Sequence, residues 1–117
     1  MLRIMCKSKI ENAIITKKDL NCSGSIGIDK KILTASNLYP NEIVQVLNVN
    51  NGSRFETYAI EESEGSGTIA LYGPASRLGE IGDRLIILSQ ALVETIEAHN
   101  IETKVITLDN KNNLLKK

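Results

Sequence analysis

A serine directly after a glycine, Ser25 after Gly24, carries the simplest reactive chemistry in this sequence. The serine hydroxyl lies one residue from the carbonyl of the preceding peptide bond, so an N-to-O acyl shift at this bond needs no other nucleophile. Such a shift requires a distorted turn and hydrogen-bond donors that stabilise the oxyanion. Glycine tolerates unusual backbone angles and removes a Cβ from the line of attack. Most Gly-Ser pairs are simply turns, and the small polar residues of segment 21–25 predict a turn here too.

The Gly-Ser pair belongs to one of four sequence blocks, and the pattern that includes them runs from Met1 to about Ser89. The first contains the Gly-Ser pair, and the second is an asparagine-glycine hairpin followed by Arg, Thr and Tyr. The third reads Gly-Pro-Ala-Ser-Arg-Leu, and the fourth is an Ile-Gly-Asp entry to an apolar strand. They occupy residues 15–29, 48–60, 73–78 and 81–83. No block is specific alone, but together they resemble the pyruvoyl-dependent aspartate 1-decarboxylase family.

The resemblance implies that the chain cuts itself between Gly24 and Ser25. After the acyl shift, elimination from the ester leaves dehydroalanine, which hydrolyses to ammonia and a pyruvoyl group. The single domain of residues 1–117 is then divided into a β chain, 1–24, and an α chain, 25–117, which begins with the pyruvoyl cofactor derived from Ser25. By the same resemblance the Thr57 hydroxyl lies near the carbonyl that is cleaved, and no metal is involved.

The implied activity is the decarboxylation of L-aspartate to β-alanine and CO2, a step of pantothenate biosynthesis. The pyruvoyl ketone forms a Schiff base with the substrate amine and acts as the electron sink, a task that pyridoxal performs in other enzymes. The resemblance assigns Tyr58 as the proton donor. It assigns the remaining substrate contacts to two cations, a hydroxyl and two backbone positions, namely Lys9, Arg54, Thr57, Gly73 and Ala75.

Each of these assignments has an ordinary structural alternative. Lys9 and Arg54 have the character of solvated surface charges. Strand alternation from Arg54 places Tyr58 on its own face and Thr57 on the opposite face, so Tyr58 could be a packing residue and Thr57 a generic strand former. The resemblance is what favours the functional interpretation.

Two positions near the expected site depart from the family pattern. Cys22 stands where the family usually has tyrosine, and Tyr72 stands where it normally has an asparagine whose amide helps to arrange the cleavage site. A tyrosine cannot supply the same donor and acceptor pair. Nothing near Cys22 in the sequence predicts a lowered thiol pKa. These departures leave open an unprocessed, inactive paralogue, and a small β-barrel binding module is a further alternative.

The elements that must position these residues are mostly short strands rich in β-branched residues. Strands are predicted at 2–6, 13–16, 25–29, 43–49, 54–60, 68–72, 85–89 and 105–108, the seventh being buried on both faces. Many short strands with few helices indicate a small β-barrel. The resemblance makes this expectation more specific: a mainly β fold, the double-psi β-barrel with short flanking helices, assembling as a homotetramer.

Turn and cap signals predict the connections. Asp29 is a plausible N-cap for a helix over 30–37, which must end before Pro40. Asn51-Gly52 is typical of a type I′ hairpin turn. A polar loop is predicted over 61–67, with Glu62 as one of its solvated carboxylates. A second helix is expected over 92–99, and a polar tail that frays over 110–117.

Composition limits the classes of function. The chain has 117 residues, and 14 Lys and Arg balance 14 Asp and Glu. The resulting zero net charge argues against broad attraction to nucleic acid or to an anionic membrane. One histidine, His99, excludes the usual multi-histidine metal sites, and two cysteines exclude a disulfide-stapled secreted scaffold. We find no signal-peptide pattern or apolar stretch of spanning length, so a cytoplasmic location is expected.

Overall fold

The computed structural model describes residues 1–115 and is mainly β. In chain order the elements are β1 (Leu2–Ile14), β2 (Lys17–Asp19), β3 (Ser25–Asp29), α1 (Lys30–Ser36), β4 (Ile43–Asn48), β5 (Arg54–Glu62), β6 (Ile69–Tyr72), a 3-10 helix (Gly73–Leu78), β7 (Arg84–Glu94), α2 (Thr95–Ala98) and β8 (Lys104–Thr107). The eight strands form one mixed sheet in the order β2-β6-β3-β5-β4-β7-β1-β8. The predicted mainly β class with short helices is therefore confirmed.

The connection from β1 to β2 shows that this sheet is rolled up. β1 is the seventh strand in the sheet order and β2 is the first, yet only Ile15 and Thr16 join them. Three Cα–Cα steps span at most about 11 Å, whereas six strand spacings in a flat sheet span about 29 Å. The sheet must therefore curl until its first strand approaches the end of β1. At this contact the Thr16 amide donates to the Ile69 carbonyl of β6 at 2.8 Å.

The core fills the inside of the rolled sheet. Alternate residues of neighbouring strands are fully buried, among them Ile10 in β1, Val46 in β4 and Ile87 in β7. The residues between them on β7, such as Ile86, are half-buried. The prediction that strand 85–89 is buried on both faces is therefore wrong for the single chain, because Ile86 and Leu88 on its outer face are only half-buried.

Asp29 connects the end of β3 to two other segments, and it is almost completely buried. Its carboxylate accepts the Lys31 amide at 2.8 Å, which confirms the predicted N-cap of α1. The same carboxylate accepts the amides of Gly65 and Gly67 at 2.9 and 2.8 Å. One side chain therefore fixes both the start of the helix and the loop that leads into β6.

The hairpin between β4 and β5 lies where the sequence predicts it, but its turn is longer. The Asn48 amide donates to the Ser53 carbonyl, and the Gly52 amide donates to the Asn48 carbonyl, each at 2.9 Å. Gly52 is left-handed with φ +77°, whereas Asn51 is not. The type I′ prediction is wrong, because that turn needs positive φ at both central residues.

The C-terminal half contains two further corrections. β7 continues to Glu94 because it pairs with β1 as far as Leu2, so the helical part of the predicted segment 92–99 is limited to α2. The segment 110–115 is anchored, since the buried Asn112 side chain donates to the Ile14 carbonyl at 2.9 Å and to the Gly67 carbonyl at 2.8 Å. The last two residues of the predicted tail lie outside the described residues. Within residues 1–115, no helix is long and apolar enough to cross a bilayer.

Candidate active site

The Gly24–Ser25 bond lies where a tight loop enters β3. Gly24 has φ +122°, in a region that side chains of L-residues rarely adopt. Ser25 is the first residue of β3 and is only 5% exposed. The bond therefore joins a glycine with unusual backbone angles to a buried serine.

Gly73 packs its backbone directly against the residues that precede this bond. A Cβ on Gly73 would lie 2.7 Å from the Gly24 nitrogen and 2.8 Å from the Gly24 Cα, and φ at Gly73 is +65°. The Gly73 carbonyl accepts the Ser76 hydroxyl at 2.7 Å, and Ala75 is buried in the same 3-10 helix. The end of β6 and the 3-10 helix thus form a firm support for residues 22–24.

β5 runs parallel to β3 and approaches the bond from one side. Ile26 pairs with Ala59. The strands are parallel, so one residue toward the N-terminus of each strand Tyr58 lies beside Ser25. One residue farther, Thr57 lies beside Gly24. Thr57 pairs with the buried Val44 on the core side, so Tyr58 points to the outer face of the sheet. The predicted alternation of these two side chains is confirmed.

Tyr72 pairs with Ser25 from the other side, in β6. Its hydroxyl donates to the Glu62 carboxylate at 2.9 Å. The Lys17 ammonium lies 5.4 Å from the centre of the tyrosine ring, within cation–π distance. Burial raises the pKa of the Tyr72 phenol, and the hydrogen bond to Glu62 raises it further. Tyr72 is therefore a neutral hydrogen-bond donor at neutral pH, and its proton is directed at Glu62.

Cys22 lies in the loop before the cleavage site and is exposed. Desolvation raises the pKa of its thiol, and the neighbouring Asp19 raises it further. The thiolate is therefore disfavoured, in agreement with the sequence analysis, and this cysteine is a poor nucleophile.

The two predicted carboxylate-binding cations, Lys9 and Arg54, lie farther from Ser25 when the path is followed along the sheet. Lys9 is half-buried in β1, four strand spacings from β3, or about 19 Å along the sheet. Arg54 is exposed at the start of β5, four residues and about 13 Å along the strand from Tyr58. Lys9 pairs with Leu88, and Arg54 pairs with Leu47, both on the outer face. Gly24, Ser25, Thr57, Tyr58, Gly73 and Ala75 thus lie on β3 and the segments directly beside it, whereas Lys9 and Arg54 lie farther along the rolled sheet.

Sequence reasoning missed the contribution of Glu62 and Lys17 to this region. Glu62 belongs to β5 and is half-buried, so its assignment to a solvated loop is wrong. The available signal was the alternation of β5, which continues past Ile60 and keeps Glu62 on the face of Tyr58. In the described part of the chain, no cluster of three or more His, Cys, Asp or Glu residues is arranged to hold a metal ion.

Comparison with known proteins assigns one family to nearly the whole chain. A family model described as aspartate decarboxylase matches residues 1–115. The chain is 53% identical over 112 residues to an aspartate 1-decarboxylase of Thermoanaerobacter pseudethanolicus, with 96% of both chains covered. It is 50% identical over 117 residues to one of Kosmotoga olearia, with both chains covered completely. A third relative of the same name, from Carboxydothermus hydrogenoformans, is 48% identical over 116 residues, covering 99% of this chain and 91% of the relative.

Proposed function

This chain belongs to the aspartate decarboxylase family, and from that membership we propose that it converts L-aspartate into β-alanine and CO2 after cutting its own backbone between Gly24 and Ser25. The observation that carries the proposal is the conformation of this bond. Gly24 is held at φ +122° with the Gly73 backbone packed against it, and the residue that follows is a buried serine.

The self-cleavage uses groups of this chain alone. The Ser25 Oγ attacks the Gly24 carbonyl carbon, the C–N bond breaks as the C–O bond forms, and the hydroxyl proton ends on the released amine. Loss of the Gly24 carboxylate from the ester, with a proton from the Ser25 Cα, leaves dehydroalanine, and water then replaces its nitrogen as ammonia. Thr57 assists by donating to the developing oxyanion at Gly24, a role supported by its register beside that residue.

The pyruvoyl group formed from Ser25 supplies an electron sink for the bond to the departing carboxylate. Tyr58 delivers the proton that replaces this carboxylate. Its register, level with Ser25 on the outer face, supports this role. Arg54 binds one substrate carboxylate through its planar donor fork, and Lys9 binds the other as a point charge.

Three further positions shape the substrate site in this proposal. Gly73 and Ala75 give close backbone contacts, which the missing side chain at Gly73 and the small one at Ala75 permit. Thr57 contributes its hydroxyl as a substrate contact after cleavage. Their support is proximity to residue 25, since Gly73 follows the strand that pairs with Ser25.

We also propose that the protein works in the cytoplasm as a homotetramer, with its small-molecule substrate as its other partner and without nucleic acid or membrane. The outer face of β4, β7 and β1 supports the assembly. Ile4, Ile43 and Leu92 are 66, 55 and 65% exposed and line one shallow depression. A second copy of the chain on this face would remove them from water. Light scattering should give four chain masses, and a monomer at micromolar concentration would contradict the assembly.

Intact-mass analysis under denaturing conditions tests the cleavage. The purified, warmed protein should give a fragment ending at Gly24 and a second fragment, lighter by one ammonia than a chain that starts with serine. The Ser25→Ala variant should stay in one piece, because the attacking hydroxyl is missing. Cleaved protein should release CO2 and β-alanine from L-aspartate. A single full-length species after prolonged warming would contradict the proposal and favour an unprocessed paralogue.

A further inference from the structure

Side chains from three strands meet over Gly27, two residues after the cleavage site. Glu62 of β5 lies across the backbone of Gly27, where a Cβ would come within 2.8 Å of the Glu62 Cδ and would collide with its Oε2. The missing side chain of Gly27 therefore provides the space that the carboxylate occupies. From this position Glu62 accepts the Tyr72 hydroxyl of β6, and Lys17 of β2 covers the tyrosine ring.

The tyrosine that Glu62 holds is connected to the cleavage site through its backbone. Tyr72 pairs with Ser25, and the next residue, Gly73, packs against Gly24 at contact distances that leave no space for a Cβ. Tyr72 is only 8% exposed, so its side chain has little freedom to move apart from its backbone. Fixing the hydroxyl of Tyr72 therefore fixes the support beneath residues 22–24.

We propose that Glu62 is a positioning residue for cleavage of the Gly24–Ser25 bond. It acts through Tyr72, whose hydroxyl it holds, and Gly27 gives it the space to do so. The inference rests on the proposed self-cleavage and adds to it a residue outside the site that the sequence predicts. It also gives a role to the tyrosine at position 72, which cannot replace an asparagine amide as a donor and acceptor pair.

A double-mutant cycle on the cleavage rate tests the connection. The rate constant for formation of the 1–24 fragment, counted by denaturing mass analysis, is measured for the parent, Glu62→Ala, Tyr72→Phe and the double variant, at a temperature where circular dichroism shows all four folded. Each single variant should cleave about tenfold more slowly, the effect of one charge-assisted hydrogen bond. The double variant should be no slower than either single one, because each removes the same hydrogen bond.

Conservative and matched variants separate positioning from simple stabilisation. Glu62→Gln keeps an acceptor oxygen for the Tyr72 hydroxyl and should restore cleavage to within about threefold of the parent. Gly27→Ala should slow cleavage as Glu62→Ala does, because its Cβ displaces the carboxylate without removing it. It should add nothing in the Glu62→Ala background. Glu61→Ala, at the exposed neighbouring position of β5, is the control and should cleave at the parental rate.

The outcomes distinguish this inference from the proposed function. If the parent cleaves and Glu62→Ala cleaves equally fast, or if the two single effects multiply in the double variant, the positioning role is wrong. A lower melting temperature for Glu62→Ala without a slower cleavage also overturns it. If Glu62→Ala does not fold, Gly27→Ala decides the question in the same way. A parent that never cleaves refutes the proposed self-cleavage instead.

Discussion

The most direct test of the geometry behind the proposed cleavage is the replacement of Gly73 by alanine. Its new Cβ would lie 2.7 Å from the Gly24 nitrogen and 2.8 Å from the Gly24 Cα. These neighbours are backbone atoms, which cannot swing aside as the end of a flexible side chain can. The nearest backbone atom is the Cys22 carbonyl oxygen, 2.5 Å from the new Cβ, so the two segments must separate by about 0.9 Å to reach the 3.4 Å of ordinary contact.

This displacement sets the size of the expected effect. A misplacement of about 1 Å in reacting groups costs about 100-fold in rate, and the Gly73→Ala shift acts directly on Gly24, the residue whose carbonyl is attacked. The left-handed backbone at residue 73 adds about 1–2 kcal/mol of lost stability for a residue with a Cβ. We therefore expect cleavage about 100-fold slower, together with a modest fall in melting temperature.

Formation of the 1–24 fragment, followed over time by denaturing mass analysis, measures the rate. Gly82→Ala is the matched control, because Gly82 is also left-handed, at φ +95°, and an added Cβ there meets no atom within 4 Å. The control should lose a similar backbone contribution to stability and cleave at the parental rate. If folded Gly73→Ala also cleaves at the parental rate, the support of Gly24 by Gly73 does not control the reaction.

Three other predictions concern turnover and stability. Tyr58→Phe should be cleaved normally but lose about 100-fold or more in kcat for CO2 release, because it lacks the proton donor; an unchanged kcat would assign the proton to another acid. Asp29→Ala should lower the free energy of unfolding in urea by about 3 kcal/mol, because three backbone amides lose a charged acceptor; a loss below about 1 kcal/mol would contradict this. Hydrogen bonds from Asn48 and the Glu80 amide hold the pKa of Asp83 below its ordinary value of 3.8. The Asp83 carboxylate therefore stabilises the fold fully at pH values above 3.8, and this stabilisation is lost as the pH falls below 3.8. The fall in melting temperature on acidification should be smaller in Asp83→Asn, and equal slopes would refute the linkage.

The sequence predicted well those elements that local signals determine. β3 begins and ends at the predicted residues, because a polar turn precedes it and the Asp29 cap follows it. The Gly24-Ser25 pair falls where a loop enters that strand, as the predicted turn over residues 21–25 indicated. The alternation of Tyr58 and Thr57 also follows from strand geometry alone.

Features that depend on distant partners could not be read from the sequence. β7 extends through Leu92 because β1 lies beside it, and the helical spacing of its apolar residues misled the prediction. Glu62 is held by Gly27 and Tyr72, which are 35 and 10 residues away along the chain. The number of strands between Lys9 and Ser25 follows from sheet order, which no local pattern reveals.

The position of β1 has a consequence for any experiment on maturation. This strand is hydrogen-bonded to β7 along one edge and to β8 along the other, and β2 is paired with β6. After cleavage, the N-terminal peptide would therefore remain hydrogen-bonded within the folded protein. Gel filtration would give the same elution volume before and after cleavage. Only a method that unfolds the protein can count its chains, and the peptide should leave no sooner than the whole domain melts.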